Sequence, residues 1–350
     1  MFERGRAGEG ASRAAAGMLA AAAEIEPGED ALLPLALESQ RLWPAFRDEL
    51  EAASGIGIDY RTDGILLVAL SRDEVDRLRF RHDLQRRLGL DTSWLSSAEA
   101  RRLEPGLRPT VSAAILCASD HQVEARKLVA ALLRAATGAG AHVLEGIAVE
   151  GLERAVGRIT GVVTGAGLCR AKVTVIAAGA WSADLPGLPP EAALPVRPLK
   201  GQSLALRMEP QAPALSRVVW TEQVYFAPKS DGRLVVGATV EERGFDDSVT
   251  AGGVYALLDG ARRALPSIEE LPIEEIWTGF RPTSRDDAPI LGPTDVPGLV
   301  IATGHHRNGI LLAPSTAKAI SDLVLDGAMQ GPAASFTLAR FGRAKQLQET

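Results

Sequence analysis

The sequence has few cysteines and no long apolar run. Its two cysteines, Cys117 and Cys169, are far apart and show no CxxC spacing. This pattern argues against a disulfide framework or a cysteine-based zinc site and predicts two buried thiols in a reducing, cytoplasmic compartment. No stretch reaches the roughly 18 apolar residues of a membrane span. We also find no basic stretch followed by an apolar one of the kind that makes a secretory signal.

Basic residues are outnumbered by acidic ones, 38 to 44. The 350 residues carry a net charge of −6, which makes nucleic acid an improbable partner. The five histidines form no Ser/His/Asp triad and no metal-binding pattern, so we expect neither a metal site nor a catalytic side chain of that type. Hydrophobic residues make up 46% and charged residues 23%, as in an ordinary globular protein.

Two helices are predicted in the first quarter of the chain. Residues 28–54 carry apolar residues at helical spacing, and residues 71–89 form a charged amphipathic pattern with Ser71 as its N-cap.

Two kinds of sequence pattern alternate along the rest of the chain. Residues 171–181, AKVTVIAAGAW, are a β-branched and apolar run typical of a parallel strand buried on both faces. The stretch 298–327 predicts a strand, a glycine turn and a long helix. Residues 194–280 are mostly strand-like, with a hairpin signal at Asp231-Gly232. The sequence therefore predicts an α/β framework joined to an α+β part with an inserted antiparallel sheet.

The opening FERG resembles the end of a buried strand. In a dinucleotide-binding βαβ unit, an acidic residue about 20 positions after a glycine-rich turn binds the ribose hydroxyls. Glu3 fits that acidic residue, although a solvated charge is the simpler alternative. On this interpretation the first strand, its GxGxxG turn and its helix, roughly 30 residues, would precede residue 1. We then expect the chain as given to hold a dinucleotide poorly.

Two further stretches suggest a cofactor cavity. The stretch GASRAAAGM places small residues and Gly17 where backbone could pass close to a flat group, or it could simply begin an alanine-rich helix. In TGHHRNGILLAP, Gly304 ends a buried strand and Gly309 stands at the predicted start of a helix. Free N–H groups there would favour an anion, although a plain packing unit with surface histidines is the alternative.

Together these motifs resemble one known family. FERG, GASRAAAGML, VIAAGAWS, KGQSLAL, GRLVVGAT, GFRPTSRDDAPILG and GHHRNGILLAP occur in the order found in the D-amino-acid oxidase family of flavoproteins, and most closely in its glycine oxidase branch of thiamine biosynthesis. The resemblance covers nearly the whole chain. It implies an FAD-binding domain of the glutathione-reductase type, truncated at its N-terminus, and an inserted substrate domain with an antiparallel sheet.

The resemblance also implies a domain division. Residues 1–45, 122–193 and 285–335 would form the discontinuous FAD-binding domain, and residues 46–121 and 194–284 the substrate-binding domain. The resemblance implies cofactor contacts from Glu3, Arg4, Ala11, Ser12, Ala16, Gly17, Met18, Val149, His305, His306, Arg307, Asn308, Gly309, Ile310 and Leu311.

The substrate residues implied by the family include a guanidinium for the carboxylate. Arg281 would bind the substrate carboxylate in a two-point geometry, with a surface salt bridge to Asp286 or Asp287 as the alternative. Tyr225 would line the pocket, unless it is a core aromatic residue. Arg307 would add positive charge near the substrate or only orient its loop.

One position departs from the family pattern, and it bears on the substrate. Some glycine oxidases have a histidine two residues before the tyrosine, where this chain has Gln223. The substrate preference is therefore open, although an amide can still hydrogen-bond.

The implied reaction is the FAD-dependent oxidative deamination of glycine or another small amino acid or amine. Hydride would pass from Cα to flavin N5, with dioxygen reduced to hydrogen peroxide, so the flavin rather than a side chain would carry the chemistry. Alternatives are a D-amino-acid dehydrogenase, a sarcosine-type oxidase or a noncatalytic truncated fragment. Relatives are commonly homotetramers, which makes a homo-oligomer an expectation.

Overall fold

The computed structural model describes residues 1–209 and 211–342. Its helices are α1 (Ala11–Ala14), α2 (Leu33–Ser54), α3 (Arg72–Arg87), α4 (Ser97–Leu103), α5 (Ala125–Gly138), α6 (Ala251–Ala264) and α7 (Ala313–Asp326). Short 3-10 helices cover Gly179–Asp184, Pro190–Ala192, Pro266–Glu270, Gly331–Phe336 and Leu338–Phe341.

The strands of the first half are β1 (Phe2–Glu3), β2 (Met18–Leu19), β3 (Ile65–Ala69), β4 (Thr92–Ser96), β5 (Ala113–Cys117), β6 (His121–Gln122), β7 (Leu144–Glu145), β8 (Val149–Ala155), β9 (Arg158–Thr164), β10 (Gly167–Arg170) and β11 (Thr174–Ile176). The later strands are β12 (Val196–Arg207), β13 (Val218–Trp220), β14 (Tyr225–Pro228), β15 (Arg233–Gly237), β16 (Ile273–Ser284), β17 (Ile290–Pro293) and β18 (Leu299–Thr303).

Local sequence signals account for several boundaries. Ser71 caps α3 as predicted, its Oγ accepting a hydrogen bond from the backbone N–H of Glu74 at 3.3 Å. The predicted hairpin is present too: β14 and β15 are antiparallel and flank Asp231-Gly232. Helix α2 begins at Leu33, later than the predicted 28, since the preceding residues form hydrogen-bonded turns.

The largest sheet has eight strands in the order β16-β12-β15-β14-β13-β3-β5-β4. It is drawn from the two stretches assigned to the substrate domain, 46–121 and 194–284. The predicted inserted sheet is present and mostly antiparallel, with one parallel pair, β13 and β3. These strands are joined by a long crossover rather than a hairpin, and a crossover lets them run in the same direction.

The parallel strand pairs of the framework lie in two small sheets. Strand β11 pairs in parallel with β18, and β1 pairs in parallel with β7 in a separate sheet. The expectation of a long strand over 171–181, buried on both faces, is wrong: β11 has three residues, and Val175 is 40% exposed. Among the described residues β11 is paired on one side only. The additional strand predicted before residue 1 stays a prediction.

Two other features can be compared with the sequence. Cys117 is buried as expected, but Cys169 is exposed, because β10 is an edge strand whose residues all face solvent. Across residues 1–209 and 211–342, none of the helices combines the length and the apolar character that crossing a membrane requires.

Candidate active site

A cavity of about 530 Å³ lies between the large sheet and two loop segments. One segment runs through residues 11–18 and the other through residues 304–310, while β12, β14 and β16 supply the sheet side. Thirteen of the residues predicted from the sequence line this cavity: Ala11, Ser12, Ala16, Gly17, Met18, Gln223, Tyr225, Arg281, His305, His306, Arg307, Gly309 and Ile310.

Arg281 reaches the cavity from β16. Its position on the sheet depends on Gly201 of β12, where a Cβ would lie only 2.6 Å from Nη1 of Arg281. Nη1 donates a hydrogen bond to the carbonyl oxygen of Thr239 at 3.2 Å. Within the described residues no carboxylate forms a salt bridge with Arg281, and Asp286 instead pairs with Arg340 at 2.8 Å. The guanidinium can therefore receive an anion in the cavity.

Two candidate residues from the β13–β14 region also line the cavity. Tyr225 is half-buried at the start of β14, and Gln223 is exposed at the rim. Burial raises the pKa of Tyr225, and the positive charge of Arg281 lowers it in part. The phenol therefore stays neutral and can donate a hydrogen bond near Arg281.

The turn after β18 stands beside Arg281. The backbone N–H of His306 donates to the carbonyl oxygen of Pro282 at 2.9 Å, and Thr283 and His305 form a β-bridge. Burial lowers the pKa of His305 to about 4 and that of His306 to about 3, so both rings are neutral at pH 7. Helix α7 begins at Ala313, which corrects the expectation of a helix start at Gly309.

The guanidinium of Arg307 is engaged by acidic residues. Its Nη2 donates to the carboxylate oxygens of Glu29 at 2.7 and 2.6 Å and to the carbonyl oxygen of Glu24 at 3.0 Å. Its Nε lies 3.1 Å from Oε2 of Glu24. These contacts favour the alternative in which Arg307 orients its loop rather than binding the substrate anion.

Buried polar side chains hold the segment 11–18 against the cavity. Lys229 donates from Nζ to the carbonyl oxygens of Ala16 at 2.6 Å and Val123 at 2.9 Å. Burial lowers its pKa to about 8. Gly17 has φ +81°, and a side chain there would collide with the carbonyl oxygen of Val123. The segment thus follows a path that only glycine allows at this point.

Five predicted cofactor residues lie outside this cavity lining. Glu3 ends β1, and its Oε1 accepts from the N–H of Gly5 at 2.8 Å. Arg4 stacks over Trp181 at 4.7 Å from the ring centroid. The other three are Val149 at the start of β8, Asn308, which is buried, and Leu311, whose carbonyl oxygen accepts from Ser39 and Trp43. Their predicted contacts with the cofactor remain predictions.

Two acidic residues of the cavity lining were not predicted from the sequence. Glu24 and Glu222 both line the cavity, and Glu24 is only 7% exposed. Glu24 is the first charged residue after the run AAAGMLAAAA, and a carboxylate that ends an apolar run beside a predicted cofactor segment is the signal that could have identified it. Its partner Arg307 is nearly three hundred residues away in the chain, so their pairing has no local signal.

The geometry agrees with a comparison to known proteins. Residues 1–323 match the family model described as DAO, FAD dependent oxidoreductase. The chain belongs to this family. The resemblance drawn from the sequence motifs is confirmed, and the DAO family enzymes use FAD.

Individual relatives make the likeness more specific. The chain is 38% identical over 334 residues to the bifunctional protein ThiO/ThiG of Trichormus variabilis, covering 95% of this chain and 50% of that protein. It is 39% identical to the glycine oxidase of Geobacillus kaustophilus, covering 93% of this chain and 85% of the relative. The chain thus spans about half the length of the bifunctional relatives.

Solved structures confirm the predicted fold class. The crystal structure of glycine oxidase from Geobacillus kaustophilus superposes with a TM-score of 0.89 at 38% identity, covering 97% of this chain and 91% of that chain. Glycine oxidase from Bacillus cereus gives a TM-score of 0.88 at 31% identity, covering 96% of this chain and 90% of that chain. The mixed α/β architecture is therefore that of the DAO family.

The residues of this DAO family member fit the flavin ring of FAD. The cavity wall over residues 14–17 carries only methyl groups and a glycine, so a flat tricyclic ring can approach the backbone. The loop 304–310 also lines the cavity and contributes neutral histidines and backbone groups. Glu3 ends β1, and the contact predicted between its carboxylate and the ribose hydroxyls stays a prediction.

Proposed function

We propose that this DAO family member oxidises glycine or another small amino acid at the carbon that carries the amine. The observation that carries the proposal is Arg281, a cavity-lining guanidinium without a carboxylate partner among the described residues. A guanidinium binds a carboxylate through two parallel hydrogen bonds. The relatives named glycine oxidase support the choice of a small amino acid.

The side chains of the cavity would bind and orient the substrate. Arg281 would hold the carboxylate, and Tyr225 would donate a hydrogen bond beside it, which fixes the position of Cα by two anchors. The bound FAD supplies the hydride acceptor for oxidation of the Cα–N bond to an imine. His305 and His306 stay neutral and add no charge that would compete with Arg281.

Replacing Arg281 tests this proposal. Hydrogen bonds to charged groups contribute about 1.5–3 kcal/mol each, so loss of a two-point contact in Arg281→Met should lower kcat/KM for glycine about 10²–10⁴-fold. Arg285→Met is the matched control, because Arg285 is exposed and four residues away. Steady-state kinetics with glycine would give kcat/KM for both variants. Equal values for the two would contradict the proposal that Arg281 binds the substrate carboxylate.

The finer parts of the proposal concern the electron acceptor and the biological context. We propose dioxygen as the acceptor, with hydrogen peroxide as product, and a role in thiamine biosynthesis in the cytoplasm. Peroxide release should be measured with glycine, sarcosine and D-alanine. Quinone-dependent turnover of D-alanine without peroxide would favour a dehydrogenase, preferential turnover of sarcosine a sarcosine-type oxidase, and a folded protein inert to all three a noncatalytic fragment.

A further inference from the structure

Glu24 is a buried carboxylate whose capacity to accept hydrogen bonds is not filled by the described residues. It lines the cavity and is 7% exposed. Its Oε2 makes no hydrogen bond with any described residue, although Nε of Arg307 lies 3.1 Å away as an ion pair without hydrogen-bond geometry. A buried carboxylate normally accepts several hydrogen bonds, so this one has unused acceptor capacity beside the cavity.

The surrounding charges leave an excess of negative charge at this place. Arg307 forms ion pairs with two carboxylates, those of Glu24 and Glu29. The other charged groups that act on Glu24 are Asp120, which adds negative charge, and Arg281, which is positive. Arg281 also lines the same cavity. The cavity is therefore lined by a cationic and an acidic side chain, Arg281 and Glu24. This pair is complementary to the carboxylate and the ammonium group of a zwitterion.

We propose that Glu24 binds the ammonium group of the amino-acid substrate and removes one of its protons, an inference that rests on the proposed function above. In this step an N–H bond of the substrate breaks and an O–H bond forms on Glu24. The products are a neutral amine, whose nitrogen lone pair is free, and a neutral carboxyl group beside Arg307. The amine form is the one from which a hydride can leave Cα.

The environment of Glu24 makes it a suitable base. Burial raises its pKa to about 7, with Arg307 lowering it and Asp120 and Glu29 raising it. The ammonium group of a free amino acid stands beside its own carboxylate, so its pKa is higher than that of a peptide's terminal α-amino group, which is about 8. The proton transfer is therefore closer to balance than it would be with an exposed carboxylate.

The structure supplies a matched pair of variants. Glu24 and Glu29 both contact Arg307, but only Glu24 lines the cavity. We would measure equilibrium binding of glycine, under anaerobic conditions, and of acetate, which lacks the amine, by calorimetry on the FAD-loaded protein. In Glu24→Gln we expect glycine affinity to fall at least about tenfold, as for loss of a charged hydrogen bond, with acetate binding unchanged or tighter.

Glu29→Gln separates an ammonium contact from support of Arg307. If Glu29 only holds Arg307 in place, its replacement should change the affinities for glycine and for acetate by the same factor. We therefore expect the ratio of the two affinities in this variant to equal that of the wild type. If Glu24→Gln also leaves that ratio at the wild-type value, the inference is wrong. If Glu24→Gln does not fold, Glu24→Asp, which retains the charge but withdraws it by one methylene, should weaken glycine binding selectively, and an unchanged ratio there overturns the inference.

The pH profile provides a second readout. Because only the ionised carboxylate can accept the proton, kcat/KM for glycine should decline as the pH falls through about 7 in the wild type. Glu24→Gln should have a lower kcat/KM without an inflection near pH 7, because it depends on the neutral amine already present in solution, whose concentration rises steadily with pH through this range. Binding of acetate but not glycine by the wild type would overturn the Glu24 inference alone, whereas binding of neither ligand would contradict the proposed function itself.

Discussion

The two sides of the cavity are built in different ways. We call the cavity-lining parts of β12, β14 and β16 the sheet wall, and residues 11–24 with 304–312 the loop wall. In the sheet wall, β12 pairs with β16 from Val196 to Leu206 and with β15 from Ser203 to Arg207. Its backbone is therefore fixed by ladder hydrogen bonds on both sides.

The loop wall depends on single buried side chains instead. Lys229 binds the carbonyl oxygen of Ala16, and Asp120 accepts from the N–H groups of Ala22 at 3.1 Å and Ala23 at 2.6 Å. On the other segment, Trp43 donates from Nε1 to the carbonyl oxygen of Leu311 at 2.8 Å. A lost side chain thus leaves buried backbone groups without partners, whereas a strand retains its ladder.

We expect the largest effect on stability from Lys229→Met. The substitution removes the partner of the carbonyl oxygens of Ala16 and Val123 and of Oε1 of Gln122. Leaving three buried acceptors unpaired costs about 1–3 kcal/mol each, but removing the buried ammonium recovers its desolvation cost, so we expect a net loss of about 2–4 kcal/mol in urea unfolding at pH 7. Lys172→Met, at an exposed site, is the control. Similar losses in both variants would remove the contrast between the walls.

A smaller effect is expected from Asp120→Asn. The amide retains one acceptor oxygen, so one of the two bound N–H groups loses its partner, for a loss of about 1–2 kcal/mol. Burial raises the pKa of Asp120 from 3.8 to about 6, so its stabilising contribution is complete below about pH 4 and is lost as the pH rises through 6.

The difference in free energy of unfolding between the wild type and Asp120→Asn should therefore become smaller as the pH rises from 4 to 6. Urea unfolding at pH 4.5 and 7.5 measures it, with the exposed Asp91→Asn as control. If this difference in free energy grew with pH, burial would not be what sets the pKa of Asp120.

The smallest effect is expected in the sheet wall itself. Ser203 lies inside β12, between Gly237 of β15 and Trp277 of β16. Both ladders remain in Ser203→Ala, so the loss should stay below about 1 kcal/mol, the ordinary net value of one hydrogen bond. Thermal unfolding of this variant beside Lys229→Met completes the comparison. A loss as large as that of Lys229→Met would mean that the sheet wall is no more robust than the loop wall.

Local signals predicted local structure well. The Ser71 cap, the Asp231-Gly232 hairpin and the strand and helix of residues 298–327 need only neighbouring residues, and all are present. The span 171–181 was overpredicted as a strand, because an apolar run does not reveal that its chain enters a 3-10 helix at Gly179. The order of motifs was sufficient to indicate the family and the fold class.

Periodicity, caps, turns and the family motifs could therefore be predicted from the sequence, since these depend on residues close together in the chain. Which charges are neutralised depends on how the chain folds. Asp286 pairs with Arg340, and Arg307 pairs with two carboxylates. In the described part of the chain Arg281 therefore has no carboxylate partner, and Glu24 lines the same cavity. Ion pairing and burial act through space, between residues whose separation along the chain carries no information about their distance.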